Sequence, residues 1–220
     1  MKRTALVAGG TGLVGGLLLQ RLVADGAWKR VIAVGRRAPD VAKVEPLVVD
    51  LSSDPAPPLP RGDDAFCALG TTIGKAGSQA AFRAVDFDLV LSFARAARAA
   101  RAERLIVVSS LGADPRSSNF YLRVKGETEE ALSALGFGGL ALLRPSLLLG
   151  DREESRPAER AAVLAGRALS FAFLGPLARY RPVEADAVAA AMVALARGEF
   201  EGKHVVESEE IPPRGPSPSR

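Results

Sequence analysis

Histidine and cysteine are almost missing from this chain: each occurs once in 220 residues, as His204 and Cys67. A single cysteine cannot close an intramolecular disulfide, and its apolar setting, Ala65-Phe66-Cys67-Ala68-Leu69, reads as a small core residue. One histidine and no cysteine cluster argue against a zinc site and against a histidine-based triad, so no metal is expected. Aromatics are 5% of the residues and are not interleaved with the basic ones, which speaks against a nucleic-acid groove despite a net charge of +4. Arg95, Arg98, Arg101 and Arg104 are placed on one alanine-rich helix as an exposed face, and an anionic ligand plus a generic basic surface accounts for the charge. The N-terminus lacks a signal-like apolar core, and no apolar run approaches the roughly 18 residues of a membrane span. These absences predict a soluble, cytosolic protein with no membrane or nucleic-acid partner.

What is present begins at the N-terminus. Thr4-Ala5-Leu6-Val7-Ala8 is a short apolar run ending in Gly9-Gly10-Thr11-Gly12-Leu13-Val14-Gly15-Gly16, and a periodic apolar stretch, Leu17 to Val23, follows. Strand, glycine turn and helix in that order open a dinucleotide-binding βαβ unit. Glycine suits the turn because a side chain would hold a pyrophosphate away from the backbone amides and helix N-terminus that bind it. The competing reading is a plain structural turn, since the spacing is Gly9-x-x-Gly12-x-x-Gly15 and not G-x-G-x-x-G. After a β-branched second strand, Val31 to Val34, comes Gly35-Arg36-Arg37. NAD-preferring folds carry an acidic residue near here for the ribose 2′-hydroxyl, whereas a guanidinium fork suits a 2′-phosphate. NADP(H) is therefore expected over NAD; the alternative is two solvated charges at a strand end.

The rest alternates. Leu47-Val48-Val49-Asp50 reads as a third strand, Asp64 to Leu69 as a fourth, Arg104 to Val108 as a fifth and Leu140 to Leu143 as a sixth. A long helix is expected over 80–102, another through Thr128 to Leu135, and further ones near 158–170 and 184–197. Asp186 reads as a first-turn helix anion, and Lys203 to Val206 as a terminal strand that includes His204. The pattern predicts an α/β, Rossmann-type, doubly wound parallel sheet with helices on both faces. One domain, 1–206, is expected, with 151–181 as a small lid and 207–220 as a disordered tail. In the lid, the charged run Asp151 to Arg156 reads as a loop of ion pairs, or else a substrate clamp. Phe171, Phe173, Leu174, Leu177 and Tyr180 read as core, with an apolar substrate wall as the alternative.

Chemistry in such sheets sits at the carboxyl ends of the strands. Ser109-Ser110 follow the fifth strand, and then come Tyr121 and Lys125, four apart and so on one face of a helix. A free phenol is a poor proton donor near neutral pH, and a neighbouring ammonium favours the phenolate. A serine hydroxyl can hold a substrate oxygen.

These residues carry a resemblance. The glycine turn, the serines and Tyr121-x-x-x-Lys125 resemble the short-chain dehydrogenase/reductase superfamily in its atypical branch. More narrowly, the chain is similar to the oxidoreductase family that includes the human HIV Tat-interacting protein, in bacterial-type form. The likeness lies in Cys67 to Gly77, Ser117 to Glu127, and Arg144-Pro145 through Asp151 to Pro157. It implies that Gly9, Thr11, Gly12, Leu13, Val14 and Gly15 cradle the pyrophosphate and that Arg36, helped by Arg37, takes the 2′-phosphate. Asp50 and Leu51 would border the adenine; Leu69, Gly70 and Thr71 would lie along the ribose and nicotinamide. Ser110 would be the catalytic serine, with Ser109 as its fallback, Tyr121 the acid–base and Lys125 its partner, also bonding the ribose. Arg144, Pro145 and Ser146 would pass close to the nicotinamide. The serine-to-tyrosine interval is shorter than the superfamily's usual one, and the C-terminal extension is brief.

Three functions compete: an NADPH-dependent reductase of small carbonyl compounds, an NADPH sensor acting through a protein partner, and a nucleotide-sugar epimerase or lyase. The last needs room that a chain of this length scarcely provides. The oligomeric state is left open.

Overall fold

The computed structural model describes residues 3–150 and 179–212. Strands form where apolar and β-branched residues run without a turn former. They are β1 (Arg3–Ala8), β2 (Trp28–Gly35), β3 (Glu45–Val48), β4 (Asp64–Cys67), β5 (Arg104–Val108), β6 (Gly139–Arg144), β7 (Leu148–Leu149), β8 (Val183–Glu184) and β9 (Gly202–Glu207). The helices are α1 (Leu13–Ala24), α2 (Ile73–Ala76), α3 (Gln79–Arg83), α4 (Val90–Ala99), α5 (Phe120–Ser133) and α6 (Ala185–Arg197), with a π-helical turn, Ala84–Leu89, between α3 and α4.

Seven strands make one sheet in the order β3-β2-β1-β4-β5-β6-β9, every pair parallel. This is the Rossmann-type doubly wound arrangement. The order reverses between β1 and β4, and a crevice opens at the carboxyl ends of strands at such a switch. Alternation along each strand divides the core into two layers. Ala5, Val7, Ala33, Phe66, Ile106 and Leu143 pack with α1 and α6, while Leu6, Ala8, Ile32, Cys67, Val107 and Leu142 pack with α4 and the end of α5. Both faces are thus covered, which is why the strands read as continuous apolar runs. Arg21 of α1 grips Asp186 in the first turn of α6, Nε to Oδ1 at 2.8 Å and Nη2 to Oδ2 at 2.6 Å.

Several expectations are corrected. The third strand lies at 45–48, two residues earlier than its apolar centre, because it is an edge strand with exposed residues and gains little from burying that centre. The helix expected over 80–102 is present from Gln79 to Ala99, with a π-helical turn inside it and an end three residues earlier than expected. Gly77 adopts a left-handed conformation at the end of α2, Ser78 caps α3, and the π-helical turn then leads into α4. Arg95 and Arg98 lie on α4, but Arg101 sits beyond it with φ of 68°, and Arg104 opens β5, where it pairs with buried Asp64. The tail drawn from Glu207 begins too early. Glu207 closes β9, a 3-10 turn follows over Ser208–Glu210, and Ile211 is buried in the α1–α6 layer. Tyr180 is not core: its ring is half-exposed beneath the Arg179 guanidinium. The helix near 158–170, the run Asp151 to Arg156, and Phe171, Phe173, Leu174 and Leu177 lie outside the described residues. Cys67 is fully buried, and burial pushes its thiol up to about 12, so it is chemically quiet.

Candidate active site at the strand ends

Close packing dictates the glycine turn. Gly9 has φ of +85°, and a Cβ there would stand 2.5 Å from the Ala68 carbonyl carbon, so any side chain would push β1 off the chain leaving β4. At Gly15 a Cβ would lie 2.1 Å from the Gly9 carbonyl oxygen, which accepts the Gly12 N–H at 2.9 Å. The helix therefore starts hard against the turn. Gly12 is the N-cap of α1 and offers no side-chain cap, and the first helical turn holds no acid. Thr11 and Gly12 are exposed, Leu13 is half-buried, and Val14 joins the core. Uncapped amides at the positive end of a helix, beside exposed glycine backbone, fit a pyrophosphate.

Arg36 and Arg37 are exposed just beyond β2. Asp50 accepts from the Ser52 hydroxyl at 2.7 Å and from its N–H at 2.9 Å. Those bonds, with the nearby Arg36 charge, hold its carboxyl below the usual range. Leu51 is a core residue whose carbonyl accepts the Ser92 hydroxyl, so its side chain enters the packing and not an open wall.

The loop after β4 carries Leu69, Gly70 and Thr71, and α5 carries Tyr121 and Lys125. The structure joins the two through a residue the sequence did not single out. Asp86, in the π-helical turn, is fully buried, and its Oδ1 lies 2.7 Å from Lys125 Nζ. Its Oδ2 accepts the Thr71 N–H at 2.8 Å. A Cβ on Gly70 would be 3.4 Å from Asp86 Oδ1 and 3.7 Å from Lys125 Nζ, so the loop passes directly over the ion pair. Burial works against the Lys125 ammonium, but the Asp86 carboxylate, with Tyr121 and Cys67, more than offsets it and holds the lysine above its ordinary value. The half-buried ring of Tyr121 leans on Phe82 of α3, centroids 5.3 Å apart.

Adjacent serines point to different work. The Ser109 hydroxyl donates to Glu129 Oε1 at 2.5 Å and is buried, whereas Ser110 is half-buried with its hydroxyl 3.4 Å from the Leu111 carbonyl. Glu129 in turn accepts from Arg144 Nε at 3.0 Å and Nη2 at 2.6 Å, and Arg144 Nη1 reaches Glu207 at 3.0 Å. Ser109 and the Arg144 guanidinium are thus engaged in an internal network. The Pro145 carbonyl accepts the Leu111 N–H, and Ser146 is held at both its N–H, by Ser208, and its hydroxyl, by the Arg181 carbonyl. The strand ends of β1, β4, β5 and β6 are so brought to one rim. Asp86, Phe82 and Glu129 are the residues sequence reasoning missed; for Asp86 the available signal was a charged residue inside an apolar-periodic stretch.

Known proteins share the family and the fold of this chain. The model of a family described as NAD(P)H-binding matches residues 9–197. Protein fmp52, mitochondrial, of Emericella nidulans is 41% identical over 174 residues, covering 74% of this chain and 73% of its own. Protein HTATIP2 of Rattus norvegicus is 38% identical over 164 residues, covering 71% and 67%. Among solved structures, MoeE5 in complex with UDP-glucose and NAD superposes with a TM-score of 0.67 at 20% identity, covering 92% of this chain and 74% of that one, a likeness of fold. One expectation is overturned: the cytosolic placement does not stand, because the similar fungal proteins are named as mitochondrial.

Proposed function

This chain belongs to the NAD(P)H-binding family, in the atypical short-chain dehydrogenase/reductase branch, and from that premise we propose that it is an NADP(H)-dependent reductase of small carbonyl compounds. The observation that carries the reading is the buried Lys125 ammonium on the same helical face as Tyr121, at the rim where the glycine turn and the β4 loop meet. Gly9 to Gly15 would hold the pyrophosphate, Arg36 with Arg37 the 2′-phosphate, and Leu69 to Thr71 the ribose and nicotinamide. Bound NADPH would supply a hydride to the carbonyl carbon. Tyr121 gives its hydroxyl proton to the carbonyl oxygen, and the Lys125 ammonium steadies the phenolate left behind. Ser110, free of the Glu129 network, holds the substrate oxygen.

The test is NADPH oxidation by the purified protein against aldehydes, ketones and quinones, with Tyr121→Phe alongside. Turnover is expected to fall by about 10²–10⁴-fold in the variant while NADPH binding persists. Tight NADPH binding without turnover by the unmodified protein would reject the reductase in favour of a sensor acting through a protein partner.

A further inference from the structure

We propose that Asp86 is the positioning residue of this site, holding Lys125 in place as an ammonium and tying it to the β4 loop through Thr71. The proposal rests on the reading of Tyr121 and Lys125 as the working pair.

Two helical segments face each other in register. Tyr121 and Lys125 are four apart on α5; Phe82 and Asp86 are four apart across α3 and the π-helical turn. Phe82 meets the Tyr121 ring, and Asp86 meets the Lys125 ammonium. One segment thus supplies an apolar brace for the phenol and a counter-charge for the amine. The π-helical turn departs from regular helix where Asp86 must arrive, a known habit of such turns at functional sites. Its register is pinned from α5, since the Thr128 hydroxyl donates to the Asp86 carbonyl at 3.0 Å.

A carboxylate without exposure is costly, and a buried ion pair is seldom retained for stability, since apolar residues of similar size often serve the fold as well. Here the pair has a use. Among the described residues, the groups facing Lys125 are Asp86 from the π-helical turn, Tyr121 from its own helix and Cys67 from β4. Glu129 and Ser109 stand across a void of about 10 Å³ that the pair also lines. Glu129 is already engaged by Arg144 and Ser109, so among the described residues Asp86 is the carboxylate in direct contact with the ammonium. Remove its charge and burial loses its main opponent, driving the lysine toward its neutral form, which can no longer steady a phenolate.

The experiment follows the lysine itself. Full-length protein carrying ¹³Cε-labelled lysine is titrated by NMR as the unmodified chain and as Asp86→Asn, with Lys125→Met assigning the resonance. In the unmodified chain Lys125 is expected to titrate above an ordinary lysine, and in Asp86→Asn its midpoint is expected to drop by about 2 pH units or more. An unchanged midpoint in a folded Asp86→Asn protein overturns the proposal. Should Asp86→Asn fail to fold, the double variant Asp86→Asn/Lys125→Met, which strands no charge, is expected to fold; failure of both overturns it equally. This readout needs no turnover. A shifted lysine in a protein without carbonyl reduction leaves Asp86 in its role and rejects the reductase alone. Where turnover is present, the alkaline limb of kcat/KM is expected to move down with the lysine.

Discussion

Arg144 closes on Glu129 with one edge of its guanidinium, Nε at 3.0 Å and Nη2 at 2.6 Å, while Glu207 takes only the remaining nitrogen. Glu129 is 4% exposed and Glu207 33%, so the two bonds to one arginine should differ in worth. Breaking a buried pair strands the other charge, at a cost of about 3–5 kcal/mol, whereas a part-exposed pair contributes about 1 kcal/mol or less. Glu129→Ala is therefore expected to lower stability by about 3 kcal/mol or more and Glu207→Ala by about 1 kcal/mol or less. Urea unfolding of the two variants checks this, and equal losses would contradict it.

Asp64 gives the protein a pH dependence of definite sign. Burial pushes its carboxyl up from 3.8 to about 6, against the pull of the Trp28 indole N–H and the Arg3 charge. The folded value lies above the unfolded one, so the folded state holds the extra proton between those two pH values. Stability from this group is present below the unfolded value and falls as pH rises through the folded one, by up to about 3 kcal/mol. Asp64→Asn removes the titration. Unfolding at about pH 4.5 and about pH 6.5 should show the unmodified chain losing ground to the variant at the higher pH. A difference that stays constant would refute the assignment.

The cofactor preference is tested at Arg36. A charge-assisted bond to a 2′-phosphate is worth about 1.5–3 kcal/mol, so Arg36→Ala should weaken NADPH by about 10- to 100-fold and leave NADH nearly unchanged. Fluorescence titration with both cofactors measures this. Parallel losses for the two would remove the arginine from the phosphate.

Where burial and pattern coincide, the sequence was sufficient. The runs Thr4 to Ala8, Val31 to Val34 and Arg104 to Val108 lie within buried parallel strands, and the glycine turn falls between β1 and α1. β3 was misplaced because its edge position leaves Val48 62% exposed, so apolarity there does not mark the paired residues. The π-helical turn inside the long helix escaped because such a turn changes helical phase without changing composition. Asp86 and Glu129 carry no local mark of their partners. Lys125 lies 39 positions from Asp86, and only the sheet's order brings them together. For the serines, adjacency left two candidates, and the fold separated them by turning Ser109 inward to Glu129.

The short segment after β9 sets an order of events. The glycine turn, Tyr121 and Lys125 have all been made once residue 125 is added. The rim at Arg144 to Ser146 is not finished then, since Arg144 waits for Glu207 and Ser146 for Ser208, 63 and 62 positions further on. Ile211 then enters the layer between α1 and α6. A nascent chain stopped short of these residues would hold most of the site's chemistry without its last wall, so the rim is completed only when these later residues have been made.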